Sequence, residues 1–107
     1  MSEDPLKTLS ELASEAHARV QAAHQHINPV VEVRRGMRDA GIPADVMTLD
    51  CLRTRRRITL ILHDNQPGLL LYQFITIDEE VGQKFQQIAL REVTVDTLVG
   101  WLQEYFG

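Results

Sequence analysis

The stretch that decides the fold reads RITLILHDNQPGLLLYQFITI over residues 57–77. Two runs of residues that favour β-structure, 58–62 and 69–77, flank a loop that contains Pro67 and Gly68. Proline presets the negative φ of the first central position of a type II turn, and glycine supplies the positive φ of the second. The stretch therefore predicts an antiparallel β-hairpin.

The second run, from Leu69 to Ile77, carries apolar side chains at most positions of both its faces. A strand with one face in water would alternate apolar and polar residues instead. Leaving three or four of these side chains in water would cost roughly 1.5 to 3 kcal/mol each. We therefore expect a central strand whose two faces are covered by helices of the same chain or by a second copy.

Upstream of the hairpin the spacing predicts two helices. Small or apolar residues recur every three or four positions from Leu6 to Ile27, which predicts a heptad seam on a helix of about 22 residues. We expect that seam to contribute to a homodimer, with packing inside one chain as the alternative. Asn28-Pro29 ends this helix, and an apolar stripe within residues 30–40 predicts a second helix that Gly41 ends.

Three further elements are predicted around the hairpin. Residues 45–52 alternate in polarity, which favours a strand. Residues 84–91 fit a strand or a helix, and Gly82 favours the strand. Thr94 is a good helix cap before the broad apolar face of residues 95–106, which predicts a final helix packed on the sheet.

The whole chain, residues 1–107, is therefore expected to form a single α+β domain. Its predicted element order is α-α-β-β-β-β-α, with two N-terminal helices, a three- or four-stranded antiparallel β-meander and a C-terminal helix. A length of 107 residues is enough to bury a core without disulfides. Hydrophobic content of 44% and charged content of 24% are those of a globular protein.

The sequence also indicates the cellular compartment in which we expect the protein. The one cysteine, Cys51, excludes an internal disulfide and suits a reducing environment. No apolar run reaches the roughly 20 residues that span a bilayer, and residues 1–4 are acidic where a secretory signal is basic. We expect a cytoplasmic protein with no membrane contact.

The residues that could carry chemistry do not form a known motif. His24 and His26 point in opposite directions on a helix, and His17 lies two turns from His24, so we expect no metal site. Cys51 and His63 are the ingredients of a nucleophile and a base, but a buried structural cysteine is the commoner case. Phosphate-binding loops and hydrolase elbows are missing from the sequence. We expect no cofactor and no enzyme activity.

Basic residues cluster in the middle of the chain. Residues 30–60 hold seven arginines and four acidic residues, a net charge of +3 in a chain whose formal net charge is -4. The seven are Arg34, Arg35, Arg38, Arg53, Arg55, Arg56 and Arg57. If they lay side by side they would form a site for an anionic ligand, because arginine binds phosphate and carboxylate through two parallel hydrogen bonds.

Taken together, these patterns predict a small non-catalytic interaction or regulatory domain that acts as a homodimer. An unknown protein is a further possible partner. Binding of nucleic acid or another polyanion through the arginine cluster is the alternative. No aromatic residues alternate with the arginines to stack on bases, which favours internal or partner pairing of these charges.

Overall fold

The computed structural model describes residues 5–25, 27–34, 36–78 and 85–106. Their helices and strands are, in chain order, α1 (Pro5–Ala23), β1 (Val30–Arg34), α2 (Gly36–Asp39), β2 (Ala44–Cys51), β3 (Arg56–His63), β4 (Leu69–Thr76), β5 (Gln86–Ala89), a single 3-10 turn (Leu90–Glu92) and α3 (Val95–Phe106). The predicted α+β class, with an antiparallel meander between terminal helices, is confirmed.

The sheet has the strand order β1-β2-β3-β4-β5, and each neighbouring pair is antiparallel. It contains five described strands where three or four were expected. The predicted hairpin is β3 and β4, and Gly68 has a φ of 78°, as its place in the turn requires. The strand predicted over 84–91 is present as β5, whereas Gly82 and Lys84 lie outside the described residues.

The predicted second helix is wrong. Residues 30–34 are extended and pair with β2, and only the four residues of α2 are helical. Val30, Val31 and Val33 are β-branched and therefore stiff in a helix but well suited to a strand. Hydrogen bonds to β2 add to that preference, while Gly36 weakens a helix at this point. Gly41, with a φ of 88°, follows α2 as the sequence predicts.

Helices α1 and α3 pack together and cover one face of the sheet, where the main core lies. The apolar stripe of α1 is buried inside this core. Its members are Leu6, Leu9, Ala13, Ala16 and Val20, none more than 7% exposed. The seam therefore packs against its own chain, an arrangement that fits both a single chain and a dimer in which each α1 covers its own sheet. Helix α1 also ends at Ala23, before Ile27.

The opposite face of the sheet has a smaller apolar patch. Ala44, Val46 and Ile61 are buried there, with Met37, Leu71 and Phe85 packed against them. Every residue from Leu69 to Ile77 is buried or half-buried, and β4 lies between β3 and β5. The central position predicted for this strand is confirmed. Helices cover one face of β4. On its other face, Leu71 packs against this smaller patch.

The start of α3 follows local sequence chemistry. The hydroxyl of Thr94 accepts a hydrogen bond from the backbone N–H of Thr97 at 3.2 Å, and the hydroxyl of Thr97 accepts one from the N–H of Thr94 at 3.2 Å. This reciprocal pair satisfies two N–H groups at the start of the helix. The cap predicted at Thr94 is therefore confirmed.

Candidate interaction surface

The arginines of the central cluster lie in two groups at opposite ends of the sheet. Arg38 belongs to α2, which leads into Ala44 at the start of β2, whereas residues 53–57 follow Cys51 at its end. A strand of this length spans about 23 Å at 3.3 Å per residue. The six described arginines of the cluster therefore do not form one continuous patch, although four of them lie at the same end of the sheet. Arg35 lies outside the described residues.

The first group is paired with carboxylates. Arg34 Nη2 lies 3.1 Å from Glu32 Oε2. Arg38 donates from Nε to Asp45 Oδ1 at 2.7 Å and from Nη2 to Asp64 Oδ1 at 2.8 Å, which ties α2 both to β2 and to the loop after β3. The hydrogen bonds from Arg38 hold the pKa of the Asp64 carboxyl below its usual value.

The second group contains a half-buried ion pair on the face of the sheet away from the helices. Arg57 donates to both carboxylate oxygens of Asp50, at 2.7 and 2.9 Å, directly across from β3 to β2. Only 17% of the Arg57 side chain and 13% of the Asp50 side chain are exposed. Arg55 pairs at the surface with Asp78, its Nη2 lying 2.7 Å from Oδ1.

The two remaining arginines bind the C-terminal end of α3. Arg53 donates to the carbonyl of Phe106 at 3.2 Å, and Arg56 donates to the carbonyl of Tyr105 at 2.7 Å. The last carbonyls of a helix have no partner within the helix and carry partial negative charge, so cations stabilise them. All six described arginines thus have partners within the chain, which favours the internal-pairing interpretation.

The residues considered for nucleophilic catalysis do not meet. Cys51 ends β2 opposite Arg56, while His63 ends β3 opposite Ala44, so the thiol and the imidazole lie at opposite ends of the sheet. Cys51 is also 2% exposed. A thiol is activated by a base within hydrogen-bond reach, which this placement denies.

The histidines of the N-terminal region also stay apart. His17 Nε2 lies 3.0 Å from Asn28 Oδ1, and His26 lies outside the described residues. No group of three or more potential metal ligands occurs in the part of the chain that the structure describes.

The feature that stands out at the surface is strand β1, which forms one edge of the sheet. All five of its residues are exposed, and Val30, Val31 and Val33 are 48%, 38% and 42% exposed. Leu49 and Met47, the β2 neighbours of Val31 and Val33, are 2% and 1% exposed, so the helix layer covers β2 and stops short of β1. An edge strand also presents unpaired N–H and C=O groups to solvent.

Sequence reasoning missed this edge because it assigned the segment to a helix. A local signal favours the strand, although the same apolar spacing also fits a helix. Three of the five residues of β1 are valine, a β-branched residue type that is enriched in strands. Pro29 stands just before them, and proline is tolerated at the start of a strand on the edge of a sheet.

Comparison with known proteins adds no assignment. No model of a protein family matches the sequence, and searches of curated proteins and of solved structures found no similar chain. Within the described ranges, no helix combines the length and the apolar character that a membrane crossing requires.

Proposed function

We propose that this chain is a non-catalytic interaction domain of the cytoplasm that assembles as a homodimer through the outer edge of β1. The observation that carries the proposal is the exposure of three valines on an edge strand whose neighbour, β2, is buried at all but one of its residues. Natural sheets protect such edges with lysine, proline or a bulge, or they pair them with another strand. Pairing with β1 of a second copy would satisfy the open backbone groups of this edge without any other protein.

The side chains of β1 favour one register of self-pairing. Antiparallel pairing of two identical strands needs a two-fold axis perpendicular to the sheet, so the helices of both copies lie on one side. An axis through Val33 places Val33 against the partner's Val33 and Glu32 against the partner's Arg34. An axis through Glu32 would instead oppose two carboxylates, which is unfavourable.

Charge complementarity supports the register centred on Val33. Glu32 and Arg34 project on the same face of the sheet and already lie 3.1 Å apart within one chain. A second copy would add the same pair in the opposite order, giving four alternating charges across the axis. Opposite charges placed directly across a strand pair contribute about 0.2 to 1 kcal/mol each.

The size of the contact sets the expected affinity. A five-residue edge buries much less than the roughly 1,600 Å² of a standard interface. Its gain comes from new backbone hydrogen bonds, at about 1 kcal/mol each, and from the remaining apolar surface of the valines. We therefore expect a dimer that dissociates in the micromolar range, at about -7 to -8 kcal/mol.

Sedimentation equilibrium of the whole chain tests the proposal. The Val33→Lys variant should dissociate at least tenfold more readily, because two ammonium groups would then face each other across the axis. The matched control is Leu52→Lys, which makes the same change at another exposed apolar residue, in the turn after β2. A monomeric native chain at about 100 µM, or equal effects of the two variants, would contradict the proposal.

Charge exchange tests the register itself. Glu32→Arg and Arg34→Glu should each weaken the dimer, because each opposes like charges across the axis. The double variant should restore dimerisation. It exchanges the two charges, so every pair across the axis again joins opposite charges. If the double variant did not recover dimerisation, the two-fold axis would not pass through Val33.

Binding of nucleic acid or another polyanion stays the alternative, and heparin chromatography separates it from the proposal. With the described arginines of the cluster paired internally, the chain should pass through the column at about 50 mM salt. The alternative expects retention that is lost by about 200 mM salt and is weakened in Arg55→Ala. Arg91→Ala is the control, since this exposed residue lies outside the cluster. Retention that only Arg55→Ala reduces would favour the alternative.

A further inference from the structure

A small pocket opens between β4 and α3, on a part of the molecule that the dimer proposal does not use. Its volume is about 120 Å³, and it is lined by Phe74, Trp101, Glu104 and Tyr105. Strands β2 and β3 separate β4 from β1, which puts the pocket about 14 Å from the proposed dimer edge.

The aromatic rings of the pocket contact one another. Phe74 contacts Trp101 edge to face, with ring centroids 5.8 Å apart, and contacts Tyr105 at 5.2 Å. Trp101 and Tyr105 are one helical turn apart on α3, so they flank Phe74 from the same side. The rings of Trp101 and Tyr105 therefore form two neighbouring walls of the pocket, which Phe74 also lines.

Contacts outside the pocket hold both walls in place. Tyr72 stacks against Trp101 with centroids 4.5 Å apart, and the Tyr105 hydroxyl donates a 2.6 Å hydrogen bond to the carbonyl of Ile75. The pocket is therefore preformed and needs little side-chain ordering when a ligand enters.

The broad apolar face of α3 predicts core positions for its aromatic residues. In the structure these residues differ in how deeply they are buried. Phe106 is fully buried at 0% exposure, whereas Trp101 and Tyr105 are half-buried and reach the pocket. Glu104, which is exposed, places a carboxylate at the rim.

We propose that this pocket binds the trimethylammonium group of a small soluble molecule. Faces of aromatic rings are negative, and they attract cations whose charge is spread over apolar methyl groups. The carboxylate of Glu104 adds attraction of the same sign. A volume of about 120 Å³ leaves room for a compact group such as trimethylammonium.

A cation already rests against one of these rings. The guanidinium carbon of Arg56 lies 5.2 Å from the centroid of Tyr105, and Arg56 does not line the pocket. The Tyr105 ring thus already interacts with a positive charge. We expect the Trp101 and Phe74 faces to supply most of the attraction, since tryptophan is the strongest of the three ring types toward cations.

Tryptophan fluorescence tests the proposal directly, because Trp101 is the one tryptophan of the chain. Choline should change the emission in a saturable way with a Kd in the millimolar range. Its neutral isostere 3,3-dimethyl-1-butanol, in which carbon replaces the charged nitrogen, should bind at least tenfold more weakly. Equal responses to both compounds, or no saturation with choline, would overturn the proposal.

Two carboxylate variants locate the site. Glu104→Gln should raise the Kd for choline about threefold or more, since it removes a charge next to the bound cation. Glu92→Gln removes an exposed charge from the 3-10 turn before α3 and should leave the Kd unchanged. Equal effects of the two would show general charge attraction and would overturn the site. Dimer formation, measured separately, does not affect either outcome.

Discussion

Replacing Phe106 by alanine should lower the free energy of unfolding by about 4 kcal/mol, the largest effect that we expect from one substitution. Phe106 is 0% exposed and belongs to the main core under α1 and α3. Its removal loses the transfer free energy of the ring and leaves a cavity that the surrounding side chains fill only in part. The ring also lies 5.8 Å from that of Tyr105, so the aromatic packing at the end of α3 would loosen.

Urea unfolding followed by circular dichroism measures this effect. Gln103→Ala is the matched control, because Gln103 is exposed on the same helix and should change stability by no more than about 0.5 kcal/mol. Phe106→Leu should fall between the two. A loss below about 1.5 kcal/mol for Phe106→Ala would mean that the end of α3 does not belong to the core.

Replacing Arg57 by methionine should cost about 3 kcal/mol, because it leaves the Asp50 carboxylate without its partner. The carboxylate is 13% exposed, so water cannot replace two hydrogen bonds of 2.7 and 2.9 Å. Methionine keeps most of the volume of the arginine side chain. The loss therefore reports on the stranded charge and not on packing.

The double variant Arg57→Met/Asp50→Leu separates the two contributions. Removal of both charges leaves no buried carboxylate, and exchange of a buried ion pair for apolar residues is often neutral. We expect the double variant to recover most of the stability that the single variant loses. A double variant as unstable as the sum of the two single variants would mean that Arg57 and Asp50 do not act as a pair.

The parts of the fold that the sequence predicts are those decided by neighbouring residues. The hairpin of β3 and β4 depends on Pro67 and Gly68, which determine the backbone of the turn whatever surrounds it. Helix α3 depends on Thr94 and on the spacing of its apolar face. Both signals lie within a few residues of the structure they specify.

The parts that the sequence does not predict depend on distant partners. Residues 30–34 carry apolar side chains that fit both a helix and a strand, and the presence of β2 beside them decides the outcome. Arg53 and Arg56 bind carbonyls that lie 53 and 49 residues further along the chain. No local pattern shows that the cluster would be divided between the two ends of the sheet.

The candidate sites also depend on contacts between distant parts of the chain. Periodicity places Trp101 and Tyr105 on the apolar face of α3 together with Phe106, and it cannot tell which of the three reaches the surface. That depends on where the rings of β4 lie beneath the helix. The exposed edge at β1 likewise depends on how far α1 and α3 extend across the sheet.

The strand order of the sheet has a consequence for folding. Each strand pairs with the one next to it in the chain, so the contact order of the sheet is low and its hairpins can form one after another. Contact between α1 and α3 instead joins the two halves of the chain, as the Arg19–Asp96 pair at 3.4 Å shows. We expect this long-range step to come late and to complete the core, so a nascent chain would hold a sheet that α1 alone covers until α3 emerged.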